Sequence, residues 1–462
     1  MIDRDRRSAE SGPAIGRPTR RRLLAAGWVA GVAAAAACAP GTPAPPAQSE
    51  ASGTIAFWHW GDQTYYQRYR TLADEFQRLH PKITVETTLE PSGMDQKLIA
   101  AITAGTPPET FVHDFQRAQG WGKQGLVEPL DDRAKRSRVL RMSEYSKIAL
   151  DAITYKGRLQ GLPGVGIPGG AAPMLVFYNA EHFRREGLPT PYELWKQDKW
   201  TWAALVDACE KLVKRGADGK MSQVPLDWGG QQRMWINAAG GKEVDDVFVP
   251  TKGLYDTPQA TKALQFLQDL RYKQRVIPPG SMSAELGVGE DQAFLDGKLS
   301  MRTRWTTGIN VYRPINNFKW GMVPYPKDAS YATDYTAAGL SIARGAKSQD
   351  AGWTWIEWAS GPDGQKLDAR TTTGVPFNPD AQKVFEESLR AIPMLETPEV
   401  PLEVIKSKYT FLRLLCVDEA RLRGEAISPY MDKLWANEVN GLTAGRNSTQ
   451  AINEFLKANP QG

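Results

Sequence analysis

The 462-residue sequence predicts an α/β protein made of more than one domain-sized unit. Three observations predict it. The chain is too long for one ordinary core. Its composition, 41% hydrophobic and 24% charged, is that of a soluble globular protein. From Thr54 onward, short strand-like runs alternate with stretches of helical spacing, as in sheets covered by helices. Tryptophan is the outlier: 15 residues exceed what packing alone usually demands, and large flat rings are recurrent ligand grips.

Residues 1–37 read as an export signal. "RPTRRRLLAAGWVAGVAAAAAC" places a basic stretch before an apolar run, Leu23 to Ala37, that is short for a membrane span. Arg20 and Arg21 resemble the twin-arginine signal, although Leu23 replaces the commoner Phe and general secretion stays open. Ala35–Ala37 lead into Cys38, which resembles a lipobox cysteine; Ala35 stands where Leu is usual, and Ala-x-Ala cleavage nearby is the alternative. A diacylated Cys38 would hold the chain at the outer face of the membrane. Residues 38–53, Cys38 followed by "APGTPAPPAQSEAS", read as a disordered tether. The leader carries seven Arg and three acidic residues. The remainder then has 50 basic against 49 acidic side chains, a net +1 that suggests no nucleic-acid partner.

The elements follow in order. "TIAFW" is a strand, and Tyr65, Tyr69, Leu72, Ala73, Phe76 and Leu79 keep helical spacing up to Pro81. "ITVETTLE" is the second strand, "MDQKLIAAITAG" a helix closed by Gly105, and "ETFVHDF" the third strand. This alternation implies parallel strands, whose following loops share the edge where open α/β sheets bind ligands. A second α/β region starts at "PMLVFYN", a buried strand, followed by "TWAALVDACEKLVKRG", a helix capped by Thr201. "SQVPLDWGG" is a strand running into a Gly turn. "DTPQATKALQFLQDL" opens with the cap Thr257 and Pro258. "DQAFLDGKLSMRTRW" is a helix closed by Gly297 and then a strand ending at Trp305. "FKWGMVPYP" and "GLSIAR" are strands, "SQDAGWTWIEWAS" is a helix stopped by Gly361-Pro362, and the chain is mainly helical after Pro379. No internal repeat is evident.

Motifs for chemistry are largely absent. There is no phosphate-cradling loop, dinucleotide fingerprint or serine elbow, so no cofactor is expected. "GLPGVGIPGG" is glycine-rich, but its prolines make it a turn-filled loop. The four histidines, His59, His80, His113 and His182, lack zinc-ligand spacing; His59 and His113 sit near strand ends and are assigned polar roles, with no metal site expected. Cys209 falls on the apolar stripe of its helix and Cys416 in "FLRLLCV"; a disulfide between them is permitted outside the cytoplasm and is left open.

Several segments together resemble a known family. "GTIAFWHWGD", "LIAAITAGTPPETFVHD", "MLVFYNAEHFRREGLP", "AFLDGKLSMRTRWTTGI", "AAGLSIARGAKSQDAGWTWIEWASGPDGQ" and "TTGVPFNP" are similar, in the correct order, to segments of extracellular solute-binding proteins (family 1) of carbohydrate ABC importers. The resemblance covers about Thr54 to Leu456. It implies a type II periplasmic-binding-protein-like fold: two lobes, each a sheet flanked by helices, joined by a hinge. Lobe one would hold residues 54–127 and 310–374, and lobe two 128–309 and 375–462. It also implies a non-catalytic, monomeric, periplasmic or surface-bound protein that hands a sugar or oligosaccharide to permease subunits.

A sugar needs flat rings for its C–H patches and carboxylates or amides for its hydroxyls. The candidates are Trp58, Trp60 and Asp62 after the first strand, with Asp114 and Phe115 after the third. From the second region come Trp228 and Trp305, the latter mapping by resemblance onto the family's binding tryptophan; Gly339 would let backbone approach a ligand. Trp58 is otherwise core, and Asp62 otherwise a helix cap. Trp353, Trp355 and Trp358 are assigned mostly to packing or an interface, and Tyr178-Asn179 to a strand–helix junction. The alternatives are a binding protein for a peptide or polyamine, or a secreted glycoside-active enzyme using Asp62 and Asp114 as paired carboxylates.

Overall fold

The computed structural model describes residues 51–166 and 169–461. The export signal with Arg20 and Arg21, the lipidation candidate Cys38 and the tether up to residue 50 lie outside the described residues. Gly53, assigned to the tether, instead opens the first strand, its N–H bonded to the carbonyl of Lys82 at 2.9 Å.

Among the described residues, twelve strands form two sheets. They are β1 (Gly53–His59), β2 (Ile83–Leu89), β3 (Thr110–Asp114), β4 (Leu162–Pro163), β5 (Ala172–Asn179) and β6 (Lys214–Arg215), followed by β7 (Met221–Asp227), β8 (Leu299–Trp305), β9 (Trp320–Val323), β10 (Thr333–Thr336), β11 (Ala338–Ile342) and β12 (Thr410–Leu412). The first sheet runs β2–β1–β3–β11–β4, with β1 parallel to both β2 and β3 as the alternation predicts, and β11 antiparallel to β3 and β4. The second runs β12–β10–β5–β8–β7–β6, with β9 also on β5. Its central strand, β5, is buried along all eight residues, which explains its near-continuous apolar sequence.

In β1 the pleat sends Ile55, Phe57 and His59 to one face, where helix Gln63–Leu79 packs with Tyr69, Leu72 and Phe76. Trp355, from helix Gln349–Ser360, fits edge-on against both Phe57 and Phe76, at 5.6 and 5.2 Å between centroids. The three tryptophans of that helix are therefore packing residues. On the opposite face Met94, Leu98, Phe111 and Trp121 form a smaller cluster under helices Met94–Thr103 and Phe115–Gln124. Asn179 caps helix Ala180–Arg185, accepting from the N–H groups of Glu181 and His182. Cys209 and Cys416 are both free and buried in the second sheet's core, so no disulfide joins them.

The chain crosses between the sheets three times. The first crossing joins β4 to β5. The second is a single residue, Ala337, between β10 and β11. The third runs through helix Pro362–Asp368 to Val375, which exchanges two backbone hydrogen bonds with Ala171, at 2.7 and 2.8 Å. One buried ion pair ties the first and third crossings together. Arg68 Nε donates to Asp368 Oδ1 at 2.5 Å and Nη2 to Oδ2 at 2.7 Å, while Nη2 also donates to the carbonyls of Val165 and Gly166. Gly169 has φ +92°, and a Cβ there would lie 2.1 Å from Thr372 Oγ1 and 2.5 Å from Arg68 Nη2. The proline- and glycine-rich loop is therefore a crossing, and glycine is required where it meets the ion pair.

Packing draws the division of the chain differently from the lobe boundaries expected above. Leu130, Ala134, Leu140, Tyr145, Ala149 and Leu162 share the first sheet's core, so residues 130–165 belong with it and not with the second. Conversely β9 and β10 are strands of the second sheet, so the return to the first begins at Ala338 and not at residue 310. Short helices and two-residue strands fill 131–163, and nothing local marks which sheet they cover.

Replacing Asp368 by Asn leaves the Arg68 charge buried without its counter-ion and is expected to destabilise the fold by about 3–5 kcal/mol. Urea denaturation followed by tryptophan fluorescence measures it; a change within error would mean that the pair is not what holds the crossings.

Candidate functional site

Parallel pairing puts the C-terminal ends of β1, β2 and β3 on one edge, and the loops leaving them build the site. After His59 the chain turns at Gly61, whose φ of +120° and closeness to the Tyr65 ring (2.8 Å from a would-be Cβ) leave no room for a side chain. Asp62 then caps the first helix, its Oδ1 accepting from the N–H groups of Thr64 at 2.8 Å and Tyr65 at 3.3 Å. Asp114 does the same for helix Phe115–Gln124, Oδ1 accepting from Gln116 N at 2.8 Å. Its other oxygen pairs with Arg117 Nη1 at 3.2 Å, and Arg117 Nε donates to Asp95.

Trp60, Glu90, Met94, Asp95, Asp114 and Arg117 line one cavity of about 470 Å³ at this edge. The Trp60 ring is half-buried and packs against the clusters on both faces of the sheet, so its orientation is fixed. Burial disfavours the Arg117 charge, but Asp114 and Asp95 more than offset this and hold its guanidinium above the usual arginine range. The result is a half-buried indole beside a carboxylate–guanidinium–carboxylate row, offering an apolar plane and several hydrogen-bonding groups of both kinds.

The second sheet brings Trp305 to the end of β8. One face of its half-buried ring is covered by the Arg413 guanidinium, 4.5 Å from the centroid. Arg413 in turn shares the fully buried Asp334 with Arg233, at 3.1 and 2.6 Å. Burial pulls Arg413 below its usual range, while Asp334 and, from the first sheet's edge, Asp114 pull it back.

The remaining candidates fall elsewhere. Trp58 is half-buried against the Met94, Leu98, Phe111 and Trp121 cluster and does not line the cavity. Phe115 is 1% exposed: the first helical residue turns into the core rather than toward the strand-end edge. Trp228 is 7% exposed and packs on Trp435, 4.7 Å between centroids. At Gly339 the close neighbour is β4, since a Cβ there would lie 2.7 Å from the Leu162 carbonyl oxygen and 2.6 Å from Ile153 Cδ1. Sequence reasoning missed Asp95, Arg117 and Arg413. Arg117 had a signal, standing three residues after Asp114 at the start of a helix. Arg413 had none: pairing of β12 with β10 brings it to Trp305 from over a hundred residues away.

A model of the family described as bacterial extracellular solute-binding protein matches residues 71–393. The chain belongs to that family. This solute-binding protein is 22% identical over 317 residues to the maltotriose-binding protein of Pyrococcus abyssi, a match that takes in 66% of this chain and 62% of the length of that relative. Among solved structures, an ABC substrate-binding protein from Listeria monocytogenes in complex with cycloalternan superimposes with a TM-score of 0.73 at 18% identity, covering 88% of this chain and 99% of that one. The cyclic α-maltosyl-1,6-maltose binding protein of Arthrobacter globiformis does so with 0.70 at 18% identity, covering 88% and 100%. These likenesses show the two-lobed fold of periplasmic binding proteins.

Two histidines lie directly beneath the site edge. Both are fully buried: His59 Nδ1 bonds the Trp60 carbonyl at 3.1 Å, and His113 Nδ1 the Ser341 hydroxyl at 2.8 Å. Among the described residues no group of three or more His, Cys, Asp or Glu could hold a metal ion. Burial lowers His59 to about 4 and His113 to about 3, and His182, bonded to Ser300, to about 4. Below pH 6.5 the unfolded chain binds protons that the native state refuses, so stability should fall as pH drops from about 6.5 toward 4. Urea midpoints across that range test this. A His59→Gln/His113→Gln variant is expected to flatten the slope between pH 6.5 and 5, and an unchanged slope rules out these two rings as its source.

Proposed function

We propose that this solute-binding protein captures a sugar or oligosaccharide between its two lobes and passes it to ABC permease subunits without catalysis. The observation that carries the reading is the fixed Trp60 ring beside the Asp95–Arg117–Asp114 row. The indole suits a C–H face of a pyranose, and the row suits its hydroxyls, which both donate and accept. Trp305 under Arg413 supports a second, one-sided stacking surface. That the relatives named above bind maltotriose, cycloalternan and a cyclic maltosyl-maltose is in keeping with this.

The protein acts, in this reading, as an exported monomer, lipid-anchored through Cys38 at the outer face of the bacterial membrane. Family membership supports export. Among the described residues no helix is long and apolar enough to cross a membrane, so attachment would rest on the N-terminal segment. Catalysis by Asp62 and Asp114 gains no support, because each carboxylate is engaged as a helix cap and Asp114 is also ion-paired.

Titration of candidate sugars against tryptophan fluorescence tests the proposal. Trp60→Ala is expected to weaken binding about five- to tenfold, on the order of 1 kcal/mol for one stacked ring. Response to a peptide or polyamine, with none to any carbohydrate, would sink the sugar assignment.

A further inference from the structure

Asp334 on β10 is fully buried, and two guanidinium groups share it. Arg233, from helix Gln232–Ala238, is enough to balance its charge: Nε and Nη2 both lie 2.6 Å from Oδ2. Arg413 adds a second cation, its Nε 3.1 Å from the same oxygen and its side chain 11% exposed. Burial and the neighbouring Arg233 both work against that second charge. One carboxylate does not account for two buried arginines, so the placement of Arg413 needs another reason.

That reason is the ring beneath it. The Arg413 guanidinium lies over the Trp305 indole, 4.5 Å from the centroid. Among the described residues no aromatic ring pairs with this indole, whereas Trp228 rests on Trp435. Trp60 packs against clusters on both faces of its sheet, but Trp305 packs against the second sheet's core alone. β8 ends at Trp305, so pairing with Met174 holds the backbone and leaves the ring to its side-chain contacts. A ring free to turn loses that freedom when a ligand stacks on it, and the loss lowers affinity. A planar cation held over one face restricts the ring beforehand. Arg413 can do this because it is itself held. It stands one residue beyond β12, whose pairing with β10 brings it beside Asp334.

We propose that Arg413 is a positioning residue for ligand binding: held by Asp334 and Arg233, it fixes the plane of Trp305 and leaves one face open to a sugar ring. Asp334, with no exposed surface, touches no ligand and acts through Arg413. The inference rests on the reading above that Trp305 is a stacking surface. Lysine separates this role from charge balance, since Arg413→Lys keeps a cation for Asp334 but has no plane to lay on an indole.

The test is a double-mutant cycle read by calorimetric titration of the full chain. The probes are linear gluco-, manno-, galacto- and xylo-oligosaccharides of two to six units, and the tightest binder is carried into the variants. Arg413→Lys is expected to weaken it about fivefold, the order of one lost cation–π contact, with little change in urea midpoint. In a Trp305→Ala background the same change should weaken binding no further. The near-UV circular dichroism of Trp305, taken by difference from Trp305→Phe, should diminish in Arg413→Lys. Arg413→Met, which leaves Asp334 paired with Arg233, completes the cycle should the lysine variant not fold. Full affinity in Arg413→Lys, or equal weakening with and without Trp305, overturns the inference and leaves sugar binding standing. Trp305→Ala without effect on affinity does the same. No binding by any oligosaccharide overturns the sugar-binding reading, and this inference with it.

Discussion

The Arg68–Asp368 pair is the contact on which the arrangement of the two sheets depends. Arg68 belongs to the first helix, Asp368 to the third crossing, and the carbonyls that share the guanidinium belong to the first crossing. Gly166 abuts Ala338 and Gly374 abuts Gly169 closely enough that neither could carry a Cβ, so the crossings touch as well as share a partner. Buried pairs are not in themselves strongly stabilising, because desolvation offsets most of the Coulombic gain. Their value here is geometric. A bidentate guanidinium fixes direction as well as distance, and it fixes both for segments that lie 300 residues apart in the chain.

The site follows from that frame by ordinary local rules. A parallel strand ends, the chain turns, and an aspartate caps the next helix; this happens after β1 with Asp62 and after β3 with Asp114. Capping holds each carboxylate by one oxygen and leaves the other to act. For Asp114 that second oxygen meets Arg117, which also binds Asp95 and so joins two loops into one polar row. The adjoining indole is half-buried and packs against the clusters on both faces of the sheet, which restricts its orientation.

The strand and helix order was legible in the sequence because it is written locally. The pleat of β1, the cap at Thr257 and the stop at Gly361-Pro362 each depend on a few neighbouring residues. So did the placement of Trp60 and Asp114 at a strand-end edge. Side-chain direction was less legible. Phe115 follows Asp114 directly, yet the turn into the helix sends one outward and the other into the core. Trp228 looked like Trp305 in sequence, each at the end of a strand, but only a contact with distant Trp435 tells them apart. Gly339 was a sign of close approach, and the neighbour it admits is the backbone of β4. Arg68, Arg413 and the boundary near residue 166 rest on long-range pairing, and no window of sequence contains both partners.

One feature of the crossings bears on mechanics. Between β10, anchored in one sheet, and β11, anchored in the other, stands Ala337 alone. A longer connection would spread a rotation over many soft torsions, whereas here two backbone dihedrals must take up nearly all of it. Such a joint transmits little slack. In any rotation of one sheet against the other, groups beside such a joint would shift least and groups far from it most.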